Sequence, residues 1–131
     1  MSVTFRNIKV GREYTRPELA EIWGYSGYQA IARGVVTPRD NNKIILFVTE
    51  DKQEFQEQYQ DHLDVNVLEW EGPTDHFAEE RMINVNKTID EIHVFHRRRH
   101  HSIFTYLGQV EVESYEIHLN KPSRFVFNVE S

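Results

Sequence analysis

Hydrophobic and polar positions alternate with helical spacing in the N-terminal third and with strand spacing in the C-terminal third. Leu19, Ile22 and Trp23 recur at three- and four-residue intervals behind Thr15-Arg16-Pro17-Glu18. Thr15 can cap a helix there, Pro17 sits in the first turn where a missing N–H is harmless, and Glu18 closes a capping box. Gly24 ends that helix. Ser26 can cap a second short helix through Tyr28, Ala30 and Ile31, stopped by Gly34. Val35-Val36 resumes as a strand, and Pro38-Arg39-Asp40-Asn41-Asn42 is turn chemistry. Lys43 to Thr49 carries an unbroken, largely β-branched apolar run, the mark of a central strand.

Residues 50–64 are polar, with Phe55, Tyr59 and Leu63 at every fourth position. That spacing suits a helix and equally a loop anchored by its aromatics. Val65 to Glu71 reads as a strand ending at Gly72-Pro73, after which Thr74 or Asp75 can cap a helix to about Asn86. Glu91 to Arg97 and Phe104 to Leu119 read as strands. In the second, the apolar phase runs through Val110 and Val112, then switches to Tyr115, Ile117 and Leu119. The switch at Ser114 predicts a β-bulge or bend. Phe125, Phe127 and Val129 alternate as a last strand. The expected fold is α+β, a small curved sheet or β-barrel with two short N-terminal helices and one mid-chain helix.

At 131 residues, 39% of them apolar and 16 aromatic, the chain is sized for one domain spanning 1–131 with a single sufficient core. The absence of cysteine removes disulfides, thiolate nucleophiles and cysteine-based zinc sites. It also favours a reducing compartment, so a cytoplasmic location is expected. The longest apolar run, Ile44 to Val48, is far too short to span a membrane. Net charge is −6, but unevenly spread: residues 1–48 carry +3, 49–91 carry −10 and 92–131 carry +1. The sharpest basic point is His96-Arg97-Arg98-Arg99-His100-His101. It reads either as a solvated loop or as a phosphate-contacting one, since arginine forks match phosphate oxygens.

Enzyme templates mostly fail. The sequence holds no GxGxxG, no P-loop and no GxSxG elbow. His93 and His96, three apart on a strand, point to opposite faces, and His96 could meet His100 or His101 only across a loop. No catalytic set, metal or cofactor is therefore expected. The aromatics are more informative. Trp23-Gly24-Tyr25-Ser26-Gly27-Tyr28-Gln29 places three of them at a helix junction, Trp70 precedes Gly72, and Phe104 stands beside the basic loop. Trp23, Trp70 and Phe104 read equally well as core. Tyr25 and Tyr28, among turn formers, are expected to be exposed.

Several stretches together carry a resemblance: Tyr14 to Leu19, Trp23-Gly24-Tyr25, Ala32 to Val35, Lys43 to Phe47, Trp70-Glu71-Gly72, Asp90 to Arg97, Phe104 to Gly108 and Pro122 to Phe125. Across roughly residues 12–128 the chain resembles the C-terminal reader domain of modification-dependent (type IV) restriction enzymes. The Asp90 to Phe95 strand followed by Tyr106-Leu107-Gly108 is similar to the PUA-like superfamily, which includes the SRA, EVE, ASCH and YTH domains. The resemblance implies a reader of modified cytosine in double-stranded DNA, 5-methylcytosine or 5-hydroxymethylcytosine, that flips the base and cuts nothing by itself. A nuclease or helicase module in cis or in trans would be its partner.

On physical grounds, the expected base pocket comprises Trp23, Tyr25, Ser26, Tyr28, Gln29 and Trp70. Tyr25, Tyr28 and Trp70 would sandwich the base, and Gln29 or Ser26 would read its polar edge. Arg33, Arg39, Arg97, Arg98, Arg99, His100 and His101 would grip phosphates. Three other readings stay open at this level: a reader of modified single-stranded RNA, an acidic-faced protein-interaction domain, and a small hydrolase using His96 and His100.

Overall fold

The computed structural model of the chain describes residues 3–51, 62–64 and 66–129. Strands are β1 (Glu13–Tyr14), β2 (Val35–Val36), β3 (Lys43–Asp51), β4 (His62–Asp64), β5 (Val67–Glu71), β6 (Glu91–Arg99), β7 (Phe104–Glu116) and β8 (Arg124–Val129). Helices are α1 (Arg16–Ile22) and α2 (Glu79–Ile83), with 3₁₀ turns at Tyr28–Ile31 and Val85–Lys87. All strands join one sheet in the order β2-β3-β6-β7-β8-β5-β4, and β1 pairs with β7. The β3–β6 pair is parallel, joined by the long crossover that carries β4, β5 and α2, and the other pairs are antiparallel. The end strands β2 and β4 do not pair, so among the described residues the sheet stays open and the closed-barrel alternative is not realised.

The apolar run of β3 is explained by burial on both faces. Ile44, Leu46 and Val48 enter one core with Trp70, Ile92, Val94, Phe125 and Phe127 beneath α2. Ile45 and Phe47 enter a second core with Leu19, Trp23, Phe95, Phe104 and Tyr106 beneath α1. The expectation of one core thus becomes two, one on each face of the sheet. Period-2 side chains of a strand sandwiched by helices must serve both.

Helix α1 forms as its sequence predicts. Thr15 Oγ1 accepts from the Glu18 N–H at 3.2 Å, and Glu18 Oε1 accepts from the Thr15 N–H at 3.0 Å. Gly24 then takes φ +81°, a left-handed conformation that stops the helix. Thr15→Ala is expected to cost about 1 kcal/mol of stability. Urea melts check this, and an unchanged midpoint would dissociate the cap from the fold.

Three predicted elements differ in type or by more than two residues. The second N-terminal helix is a four-residue 3₁₀ turn with Gly27 at its N-cap, and Ser26 makes no cap bond. Ile31 is its single buried residue, too little apolar surface to hold an α-helical face. The mid-chain helix starts at Glu79, not near Thr74 or Asp75. Asp75 Oδ1 accepts from the Phe77 N–H instead, and His76 and Ala78 adopt φ of +60° and +64°, which no α-helix tolerates. Strand β7 ends at Glu116 rather than Leu119, while the register shift between Val112 and Ser114 falls where the phase switch placed it. Of the 50–64 segment, Glu50 and Asp51 belong to β3 and His62–Asp64 to β4. The helix or loop expected through Phe55 and Tyr59 lies outside the described residues.

A polar chain runs from half-buried Lys43 and Glu91 to His93 and Tyr106, which are buried at the second core. Lys43 Nζ lies 3.0 Å from Glu91 Oε1, which also accepts from His93 Nε2 at 2.9 Å, and Tyr106 Oη stands 2.6 Å from His93 Nδ1. The carboxylate fixes the imidazole proton on Nε2, so Nδ1 accepts from the phenol. Phe5 stacks on His93 at 3.7 Å between ring centroids. Burial lowers the His93 pKa and raises that of Tyr106. A histidine whose native pKa lies below its unfolded value of about 6.5 withholds a proton that the unfolded chain takes up. Stability is therefore full above that value and falls as pH drops from it toward the lowered native pKa. His96, also lowered by burial, adds to the same loss. Chemical denaturation at pH 7.5 and 5.5 should show a smaller acid loss in His93→Gln than in the parent. Equal losses would remove His93 from the linkage.

Candidate nucleic-acid interface

Chain topology brings together residues that the sequence keeps far apart. Strand β1 pairs with the start of β7, so that Tyr14 lies opposite Phe104 and Arg16, opening α1, reaches the same ring. Strand β6 delivers Arg97 opposite Thr49 of β3, and residues 100–103 return the chain to Phe104. Arg97 lies 4.3 Å and Arg16 5.1 Å from the Phe104 ring centroid, and Arg16 also covers Phe47 at 4.5 Å. These are cation–π separations.

Neutral oxygens fix both guanidinium groups. Arg16 Nε donates to Ile31 O at 2.9 Å and its Nη2 to Arg33 O at 3.3 Å. Arg97 Nε donates to Thr49 Oγ1 at 2.8 Å and its Nη1 to Ser102 O at 3.2 Å. Burial, and secondarily the charge of Arg97, pushes the Arg16 pKa down to about 10, and burial lowers that of Arg97. These arginines flank an open cleft of about 390 Å³, whose rim includes Tyr28, His101 and Ser102. Tyr28 is 46% exposed, a large ring offered to solvent.

A second cleft, about 450 Å³, opens on the other side of the segment that follows α1. Tyr25, Arg33, Val35, Pro38, Arg39 and Phe77 line it. Tyr25 is held by its N–H bond to Ala20 O at 2.8 Å, and burial raises the pKa of its hydroxyl. Arg33 lies over Phe77 at 4.5 Å and meets Asp75 at 3.4 Å.

The expected pocket residues are thus divided. Tyr28, with Arg97 and His101, faces the first cleft; Tyr25, with Arg33 and Arg39, faces the second. Ser26 and Gln29 are exposed on the segment between them, and Arg98 and Arg99 are exposed at the end of β6. His100 packs edge-on against His101 at 3.9 Å, which has φ +68°. Trp23 and Trp70 belong to neither cleft. Trp23 is 2% exposed in the second core, with Nε1 donating to Thr4 O at 2.9 Å. Trp70 is 5% exposed in the first core, against Phe125 and Phe127. The sandwich of Tyr25, Tyr28 and Trp70 is not assembled, because neither indole can offer a face without unpacking a core. Arg16 and Phe77 escaped the sequence reading. Arg16 is masked by its place inside a helix-start motif, and Phe77 by a helix assignment that the left-handed residues beside it overturn.

No helix among the described residues is long and apolar enough to cross a membrane. They also hold no cluster of histidine and acidic side chains able to bind a metal. The chain can be set beside known proteins on this basis. No curated protein sequence matches it. Among solved structures, it is similar to the SRA domain of SUVH5, crystallised in complex with fully methylated CG DNA. That likeness has 17% identity, 97% coverage of this chain, 92% of the other and a TM-score of 0.59. The DNA modification-dependent restriction endonuclease AspBHI aligns at 11% identity and a TM-score of 0.48, over 74% of this chain and 61% of that one. The likeness to the SUVH5 domain makes the fold SRA-like, as the sequence resemblance implies. Residues 8–126 match the family described as a domain of unknown function, DUF3427, and the chain belongs to that family.

Proposed function

We propose that this chain binds double-stranded DNA carrying a modified cytosine, 5-methylcytosine or 5-hydroxymethylcytosine, and reads it as an extruded base without cutting the strand. One observation carries the reading: an exposed tyrosine ring, Tyr28, shares a cleft with two half-buried arginines. That is the pairing of π-face and cation that an unstacked nucleotide requires. Likeness of fold to a domain crystallised with methylated DNA supports it.

In this reading the base stacks on Tyr28, and Ser26 or Gln29 offers hydroxyl or amide to its polar edge. Tyr25 walls the neighbouring cleft, where Arg33 and Arg39 take flanking phosphates. Arg98, Arg99, His100 and His101 contact the backbone from the end of β6. Extrusion costs a few kcal/mol, which stacking and apolar contact with the added group offset. Cutting belongs to a nuclease or helicase module in cis or in trans.

Fluorescence anisotropy with matched duplexes bearing cytosine, 5-methylcytosine or 5-hydroxymethylcytosine, plus a single-stranded RNA, at two salt concentrations tests the reading. Tighter binding to one modified duplex that survives the higher salt is expected. Equal binding that vanishes with salt would reduce the interface to its charges. Tyr28→Ala should erase about tenfold of the preference for the modified duplex and keep weak general binding, since stacking contributes about 1–3 kcal/mol per base. Equal loss on all duplexes would make Tyr28 part of the scaffold.

A further inference from the structure

Of the described arginines, Arg6, Arg12, Arg39, Arg98 and Arg99 are exposed, and three others meet carboxylates. Arg33 meets Asp75, Arg81 forms a two-pronged pair with Asp90 at 2.9 and 3.1 Å, and Arg124 lies near Glu69 and Glu71. Arg16 and Arg97 differ: each is half-buried, each is held by neutral oxygens, and neither has a carboxylate partner among the described residues. Two like charges brought to one aromatic ring repel each other, and burial takes away the water that would screen them. A protein that holds such a pair in place lowers that cost when an anion enters between them.

We propose that the Arg16–Arg97 cleft is a phosphate site, in which both guanidinium groups clamp one phosphate of the nucleotide whose base stacks on Tyr28. The inference rests on the nucleic-acid reading above and deepens it by fixing which phosphate is held. Arg16 Nη1 and Arg97 Nη2 have no partner among the described residues, leaving a donor on each side of the cleft. Phe104 forms a flat apolar floor that orients both groups, and guanidinium forks match phosphate oxygens. Tyr28 and Ser102 at the rim add hydroxyls. The lowered pKa of Arg16 agrees with this, because burial and the charge of Arg97 both disfavour its cation and a neighbouring anion would offset them. Arg98 and Arg99, exposed on the open end of β6, lack this enclosure and would serve as general backbone contacts.

The test is an NMR titration of the intact chain, following the Nε–Hε resonances of Arg16 and Arg97, with three probes. These are inorganic phosphate, deoxycytidine 5′-monophosphate and the phosphate-free nucleoside deoxycytidine. Both resonances should move with phosphate and with the monophosphate, saturating at least tenfold earlier for the monophosphate than for deoxycytidine. Arg97→Gln should abolish that advantage and leave the nucleoside response unchanged. Arg97→Lys, which keeps the charge but loses the fork, should restore part of it. Thermal melts confirm that both variants are folded. Equal response to nucleoside and monophosphate, or shifts confined to Arg98 and Arg99, would overturn the proposal. Duplex anisotropy on Arg97→Gln separates the two claims. Modified-base preference that persists while no phosphate response exists sinks the phosphate site and spares the reader. A phosphate response without any duplex preference does the reverse.

Discussion

Phe95→Ala is expected to remove about 3–5 kcal/mol of stability, the cost of emptying a fully buried phenyl site. The residue is completely inaccessible, and its ring lies 5.0 Å from Tyr106, 5.2 Å from Phe47, and 6.2 Å from each of Phe5, Tyr14 and Trp23. These five belong to β1, β3, β7, the C-terminal end of α1 and the N-terminal segment, so one ring ties together most of the second core. A domain of this size has about 5–15 kcal/mol in all, and the variant should be largely unfolded on mild heating. Urea denaturation with an unchanged m-value is the check, with Ile89→Ser, 82% exposed, as a control expected to be near neutral. A loss below about 1 kcal/mol would mean that the cavity collapses and that the ring is not the keystone of this face. Phe47 both stacks on Phe95 and carries the Arg16 guanidinium, so loss of nucleic-acid binding in this variant should follow loss of fold.

What was legible in the sequence was what depends on near neighbours. The Thr15–Glu18 box, the stop at Gly24 and the phase switch before Ser114 are each written within a few residues, and all appear as read. The apolar run of β3 also announced its burial, although not that its two faces feed separate cores. What escaped depends on distant pairings. Nothing adjacent to Arg16 says that β1 will pair with β7 and carry it to Phe104. Likewise Trp23 and Trp70 carry the same aromatic signal as Tyr25 and Tyr28. Only the sheet assigns the indoles to opposite cores and leaves the tyrosines at the two clefts. The left-handed His76 and Ala78 delay α2 against a capping signal at Asp75, because the carboxylate spends its acceptor on the Phe77 N–H.

The Arg97-Arg98-Arg99 run looks uniform in sequence, and the structure divides it. Arg97 is bound to Thr49 and Ser102, whereas Arg98 and Arg99 are exposed. Replacing Arg98 and Arg99 together with alanine should therefore act on DNA through charge alone. Each phosphate contact contributes about 0.9 to the slope of log K against log salt on B-form DNA. Removing two contacts lowers the slope by about 1.8 and, by the same relation, weakens binding about 30-fold near 0.15 M salt. The loss should be the same for modified and plain duplexes, and at high salt it should shrink toward nothing. Arg97→Gln should behave differently, with a smaller change in slope and a loss that persists in salt, because a half-buried contact is poorly screened. Anisotropy titrations from 50 to 300 mM salt distinguish the two patterns. A double variant with the parent slope would take the end of β6 out of the interface and leave the clefts beside Tyr25 and Tyr28 to account for all binding.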